Sequence, residues 1–186
     1  SAPAATAPSV TAASNLLAWY RFDITPADQA TLVNHGTGGA TFDATIHAAA
    51  NGIEQITGNY ATHAYFWKEN SPHGNYIDVP GTLTTKLDEG PGHTITFWLT
   101  DYDVTDRDML LMTGIDGQNL DNTVSIKIFA PWTNGVVYYL MKDASRNSRF
   151  ASGTNILANG EQAMMTFVRE NVDASTMKLR LYKNSV

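Results

Sequence analysis

The sequence predicts an all-β protein, an antiparallel β-sandwich, and three observations lead to that prediction. Short segments alternate apolar and polar residues with a period of two, which is typical of strands with one buried face. Turn residues separate those segments, among them Asn51-Gly52, Pro80-Gly81 and Asn134-Gly135. No stretch of about 12 residues or more keeps the apolar stripe of a helix.

The predicted strands follow one another closely along the chain. The strand at 93–100 places Ile95, Phe97 and Leu99 on one face, and Trp98 with its threonine neighbours on the other. In the same way, the strand at 177–183 places two leucines on one face and Lys178, Arg180 and Tyr182 on the other. In chain order, the predicted strands are 16–23, 41–47, 62–68, 75–79, 93–100, 109–113, 123–129, 136–141, 164–170 and 177–183.

The domain organisation follows from length and composition. Residues 1–14 consist mostly of Ala, Pro, Ser and Thr without any period, which indicates a flexible tail or linker. Residues 15–186 are expected to form one sandwich domain, a common size for all-β folds. With 43% apolar residues, a core of ordinary size can form without covalent staples.

Charge and cysteine content exclude several classes of function. The chain has no cysteine, which excludes disulfides, thiolate metal sites and cysteine nucleophiles. The net charge of −6 disfavours a nucleic-acid partner, since phosphate-binding surfaces are basic. No apolar run reaches the roughly 20 residues of a membrane-spanning helix, so membrane insertion is not expected. The low charged fraction of 16% favours an extracellular, cell-surface or virion-surface location.

Several short motifs occur in a characteristic order. They read Ala18-Trp19-Tyr20-Arg21-Phe22-Asp23, then Tyr76-Ile77-Asp78-Val79-Pro80, then Thr94-Ile95-Thr96-Phe97-Trp98, and finally Leu179-Arg180-Leu181-Tyr182. This order resembles the laminin-G-like jelly roll of the concanavalin A-like lectin and glucanase superfamily, over roughly residues 16–186. The resemblance implies a jelly-roll sandwich. It does not imply a ligand, because this fold carries lectins, protein-binding modules, glycosidases and lyases.

One departure from that pattern concerns the last strand. The family continues after its Leu-Tyr strand with a strand that lies near the first one, whereas this sequence stops at Val186. We therefore expect the sandwich to lack its last strand within these residues. A continuation of the chain or a strand from a neighbouring subunit would then cover the edge. Two further alternatives stay open, namely that residues 1–14 fold back or that the edge is blunted.

Catalytic patterns are weak in this sequence, and no catalytic residue is predicted. Glycosidases use two carboxylates on one groove, and the glucanases resembled here carry them on one strand as Glu-x-Asp-x-x-Glu. The five glutamates of this chain are scattered instead: Glu54, Glu69, Glu89, Glu161 and Glu170. The sequence also lacks a Gly-x-Ser-x-Gly elbow. We therefore expect a protein that is not an enzyme.

An acidic loop suggests a calcium site. Asp101, Asp103, Asp106 and Asp108 place four carboxylates in eight residues, and Ca²⁺ takes oxygen ligands of this kind. Domains of the resembled family often carry one Ca²⁺ at a loop rim. Solvated turns capped by Asp side chains are the alternative interpretation.

Two tryptophans are candidates for stacking on a ligand. Trp98 shares a face with threonines, so an open sheet face would expose its ring. Trp132 follows Pro131 and precedes Thr-Asn-Gly, a turn composition that predicts substantial exposure. Trp19 lies in an alternating segment and is predicted to be buried.

Together these features predict a non-catalytic extracellular binding module that recognises a glycan or a surface ligand through rim loops. A structural or assembly subunit, such as a fibre, adhesin or phage-tail component, is the first alternative. A polysaccharide-active hydrolase or lyase is the second.

Overall fold

The computed structural model describes residues 15–48, 52–56, 64–67, 75–100, 105, 109–112, 126–133, 135–142, 148–173 and 176–184. These residues form mostly short antiparallel strands, in agreement with the all-β prediction. The chain divides into two compact units, Ser1–Lys86 and Leu87–Val186. Within the described part, no helix has the length and apolar character that crossing a membrane requires.

The first unit contains a three-stranded and a two-stranded sheet. Strands β1 (Thr31–Leu32), β2 (Ala44–His47) and β5 (Tyr76–Asp78) pair in the order β1-β2-β5, and β3 (Ile53–Ile56) pairs with β4 (Ala64–Trp67). A 3-10 turn, Gly39–Phe42, precedes β2. Ala44 and Ile46 of β2 are buried with Leu32 and Ile53, as the period of two requires.

The predicted strand at 16–23 is wrong, since only Tyr20 makes a β-bridge, with Asn34. The side chain of Asn34, rather than a neighbouring strand, makes hydrogen bonds to the backbone here. Its Oδ1 accepts hydrogen bonds from the backbone N–H groups of Trp19 and Gly36, both at 2.8 Å. Its Nδ2 donates to the carbonyls of Leu17 and Gly39. Phe22 then takes a φ of 55°, in the left-handed region, where a strand cannot continue.

Trp19 is half-buried rather than buried, because this segment lies at the surface of the first unit. The guanidinium carbon of Arg21 lies 5.7 Å from the centre of the indole. The ring of His35 meets the indole edge-on, with 6.0 Å between ring centres. Asp23 pairs with Arg21 at 3.5 Å, and His35 Nε2 lies 3.9 Å from the same carboxylate.

The second unit contains two antiparallel sheets. One has the order β10-β9-β8-β7 and the other the order β12-β11-β6. The strands are β6 (Gly92–Thr100), β7 (Met109–Met112), β8 (Ile126–Phe129), β9 (Val137–Lys142), β10 (Ser148–Gly153), β11 (Gln162–Asn171) and β12 (Met177–Lys183).

The two sheets of the second unit share one hydrophobic core. Tyr139 of β9 contacts Phe167 of β11, with ring centres 5.7 Å apart, and Phe97 of β6 packs edge-on against Phe167. The predicted faces are confirmed, since the alternate residues of β6 and β12 pack against this core. These are Ile95, Phe97, Leu99, Leu179 and Leu181.

Helix α1 (Gly81–Glu89) and strands β1, β3 and β10 were missing from the sequence prediction. The helix presents an apolar pair, Leu83 and Leu87, which is too short a stripe for a periodicity argument. Strand β10 reads Ser-Arg-Phe-Ala-Ser-Gly and has no alternating apolar face.

Candidate functional site

The outer face of the sheet β12-β11-β6, which we call the Trp98 face, carries the chemistry that fits a ligand best. The register fixes its members. Trp98, Thr96 and Thr94 of β6 lie opposite Met164, Thr166 and Val168 of β11. Thr166 and Val168 in turn lie opposite Tyr182 and Arg180 of β12. In each strand the residues between these positions point into the core. The side chains named here therefore all lie on the opposite, outer surface of the sheet.

Trp98 is the dominant feature of this face, with 53% of its surface exposed. The exposed residues of β6 on either side of it are threonines, Thr94, Thr96 and Thr100. The hydroxyls of Thr96 and Thr166 are hydrogen-bonded to each other at 3.2 Å. An accessible indole therefore lies beside a row of threonine hydroxyls.

A shallow groove of about 510 Å³ lies at the other end of the same face. The groove is lined by Pro91, which precedes β6, by Gly92 and Thr94 of β6, by Val168 and Glu170 of β11, and by Arg180 of β12. His93 and Arg169 also border it. Gly92 keeps the groove open. A Cβ at that position would collide with the backbone carbonyl of Arg169, so no side chain fills the space opposite Glu170.

One ion pair forms the polar wall of the groove. Arg180 Nη1 donates to Glu170 Oε2 at 2.5 Å, across the strands β12 and β11. The hydrogen bond that Arg180 donates to this carboxylate, followed by the carboxylate's charge, raises the pKa of the Arg180 guanidinium. A guanidinium has further N–H donors beyond the one that binds Glu170.

A buried polar network anchors this end of the sheet from its inner side. Arg169, nearly inaccessible, donates to the carbonyls of Leu87 at 3.1 Å and Gly90 at 2.5 Å. His93 donates from Nδ1 to the same Leu87 carbonyl at 2.8 Å, and its Nε2 lies 2.5 Å from the Tyr139 hydroxyl. A cation at the carbonyl end of a helix is electrostatically favourable. The network therefore fixes the backbone that forms the groove.

Trp132 lies on the other sheet of the second unit, and it is half-buried rather than substantially exposed. It belongs to a row of four rings, the aromatic stripe, formed with Phe129, Tyr138 and Phe150. Neighbouring ring centres lie 4.7 to 6.0 Å apart, in edge-on contacts. These contacts cover the indole, and Phe150 instead is the exposed member, at 61%. The structure does not bring Trp98 and Trp132 together, because they lie on the outer faces of different sheets.

The predicted calcium ligands Asp101, Asp103, Asp106 and Asp108 lie outside the described residues, so that site stays a prediction. Among the residues that the structure does describe, no group of three or more His, Asp or Glu side chains is arranged to hold a metal ion. Residues 1–14 also lie outside the described part.

The sequence pattern predicted Trp98 and its threonine neighbours on β6, but not the residues beside them on β11 and β12. The register of β11 with β6 and β12 is what places these residues on the same face as Trp98; they are Met164, Thr166, Glu170, Arg180 and Tyr182. A signal was present, because the leucines of β12 marked Arg180 and Tyr182 as outward-facing. The sequence does not reveal which strand lies beside which.

Comparisons with protein-family models, with curated proteins and with solved structures give no match to this chain.

Proposed function

We propose that this chain is a non-catalytic binding module, extracellular or at a cell or virion surface, that recognises a glycan through the Trp98 face. The observation that carries the proposal is the 53% exposure of Trp98 on a sheet face that also carries threonine hydroxyls. The sequence prediction placed recognition on rim loops. The described residues favour a sheet face instead.

The chemistry of carbohydrates supports this choice of ligand. A sugar ring has an apolar C–H face and a periphery of hydroxyls, so it binds best to an aromatic platform with hydrogen-bonding groups beside it. The indole supplies the platform. Thr96, Thr100 and Gln162, the residue opposite Thr100, can supply polar groups at its edge. Paired strands hold the backbone of these residues at regular spacing, which limits the entropy lost on binding.

For the fold, we propose the jelly-roll connectivity of the laminin-G-like type. Two antiparallel sheets around one core in the second unit are compatible with it. The order of the motifs from Trp19 to Tyr182 supports the same assignment.

A binding role rather than catalysis is favoured by the make-up of the groove. Among the described residues that line it, Glu170 is the one with a carboxylate. Glycoside hydrolysis ordinarily uses two carboxylates on one groove, and Glu170 is already hydrogen-bonded to Arg180. Incubation with polysaccharides and assay of released reducing ends checks for turnover.

The test of the proposed function is a glycan array followed by calorimetric titration of the glycans that bind. Trp98→Ala should weaken binding about tenfold or more, equivalent to about 1.4 kcal/mol. Phe150→Ala is the matched control, since it removes an exposed aromatic ring from the opposite sheet. Equal losses in the two variants, or binding unaffected by Trp98→Ala, would contradict a site on the Trp98 face.

The aromatic stripe favours a second candidate function, that of an assembly subunit. Its rings form a continuous row ending in the exposed Phe150, and interface cores are rich in aromatic residues. Sedimentation of the native protein at increasing concentration tests this function. Association that Phe150→Lys abolishes would support it, and a monomer at every concentration would contradict it.

A further inference from the structure

We infer that the groove lined by Thr94, Val168, Glu170 and Arg180 is a second subsite of the glycan-binding face, and that the glycan it accepts is an uncharged, extended chain. This inference rests on the proposed function. It adds the location of a second sugar unit, the residues that contact it and the charge class of the ligand.

The shape of the groove fits a sugar ring. The groove is an open, shallow depression of about 510 Å³, so a sugar ring would lie on it rather than be enclosed by it. Val168, Pro91 and the bare backbone at Gly92 offer apolar surface, while Thr94 offers a hydroxyl. A ring can therefore lie with its C–H face on the apolar residues and direct its hydroxyls to the polar wall.

The polar wall is suited to hydroxyl groups rather than to an anion. A sugar hydroxyl both donates and accepts hydrogen bonds, and the pair offers an accepting carboxylate in Glu170 beside a donating guanidinium in Arg180. An anionic substituent would have to compete with the Glu170 carboxylate for Arg180, and it would lie against a like charge.

The spacing of the two subsites requires an extended ligand. Trp98 and Arg180 are separated by two strand spacings across the sheet and by the four residues from Met164 to Val168 along it. With about 4.8 Å between strands and about 3.4 Å per residue, their Cα atoms are about 17 Å apart. A disaccharide is too short to occupy both ends, whereas a longer linear chain can do so.

The experiment compares ligands of different length and charge by calorimetric titration. The probes are linear disaccharides and hexasaccharides of glucose, mannose and xylose, and a hexasaccharide of galacturonic acid as the acidic counterpart. We expect an uncharged hexasaccharide to bind about tenfold or more tighter than its disaccharide, with an affinity that changes little with salt. We expect the galacturonic acid chain to bind more weakly.

Three variants test whether the tighter binding of the hexasaccharide, relative to the disaccharide, comes from the groove. Glu170→Gln and Arg180→Gln should each remove most of the difference between hexasaccharide and disaccharide, while the disaccharide keeps its affinity for the Trp98 end. Thr94→Gln, which adds a longer side chain at an exposed position that lines the groove, should do the same. Lys127→Gln on the other sheet is the control for loss of a surface cation.

The outcomes separate the two claims. If Trp98→Ala abolishes binding while the groove variants keep the full gain with length, the second subsite is overturned and the proposed function stands. Tighter binding of the acidic chain, lost at high salt, overturns the uncharged ligand. If no saccharide binds the intact protein, both the proposed function and this inference are overturned.

Discussion

Trp98 on β6 and Met164 on β11 lie directly opposite each other on the outer face of one sheet. Side chains paired in this way have Cβ atoms about 5 Å apart, so the position of the indole is set by the register of two paired strands rather than by a loop. The opposite side of the same strands is locked into the core through Phe97 and Met165. A site built on such strands is held in place before a ligand arrives.

Asn34→Asp should destabilise the first unit by about 2–4 kcal/mol. The substitution keeps the shape of the side chain but replaces the Nδ2 donor with an oxygen that faces the carbonyls of Leu17 and Gly39. Hydrogen exchange of the Ile46 amide, which bonds to the Ala30 carbonyl, reports the stability of this unit. Asn155→Asp, the same change at an exposed position, should alter stability by about 0.5 kcal/mol or less. Equal protection of Ile46 in both variants would refute the role of Asn34.

Arg169→Met should cost about 2–4 kcal/mol of unfolding free energy. Methionine preserves much of the buried volume but leaves the carbonyls of Leu87 and Gly90 without the guanidinium donors. Urea unfolding measures the loss, and Lys178→Met, at an exposed position on β12, serves as the control. Stability unchanged in Arg169→Met would show that the buried cation does not hold these carbonyls.

Stability should fall at alkaline pH because of two tyrosines in the first unit. Burial, followed by the charge of a nearby aspartate, raises the pKa of Tyr20 and of Tyr65 from 10.0 to about 12. Their hydroxyls donate to the carbonyls of Phe42 and Ile24. Since the unfolded chain loses these protons first, this stabilisation is complete below pH 10 and is lost as the pH rises through about 12.

Unfolding free energies measured between pH 9 and 12 check this prediction, with tyrosinate absorption as a second readout. The double variant Tyr20→Phe, Tyr65→Phe should start from a lower stability and lose less of it over that range. Tyr76→Phe, an exposed tyrosine of the same unit, is the matched control. The prediction fails if the double variant and the intact protein decline with the same slope.

Calcium binding at Asp101, Asp103, Asp106 and Asp108 remains a prediction from charge density. A site of micromolar affinity should raise stability by a few kcal/mol in millimolar Ca²⁺, because the ion binds the folded state. Thermal melting with Ca²⁺ and with a chelator measures the shift, and Asp103→Asn combined with Asp106→Asn should remove it. Identical melting temperatures in the two conditions would leave this loop as an ordinary acidic turn.

Local alternation predicted the faces of β6 and β12 correctly, because one strand face packs into a core and leaves a period of two in the sequence. It failed at 16–23, where the same alternation occurs but Asn34 satisfies the backbone and Phe22 turns the chain into the left-handed region. The groove was beyond prediction for a different reason. Gly92, Glu170 and Arg180 meet through pairing between strands that are distant in sequence, and the sequence contains no local signal of that register.

The most direct test of the account is nuclear magnetic resonance of the tryptophan indole N–H groups during titration with an uncharged hexasaccharide. The chain has four tryptophans, and Trp98→Phe assigns the signal of Trp98. We predict that the Trp98 indole signal shifts on titration, together with the backbone amides of Thr96, Thr166 and Val168, while that of Trp132 stays in place. If the Trp132 indole signal and the Phe150 backbone amide signal shift while the Trp98 indole signal stays in place, the claim that the Trp98 face binds the glycan is contradicted.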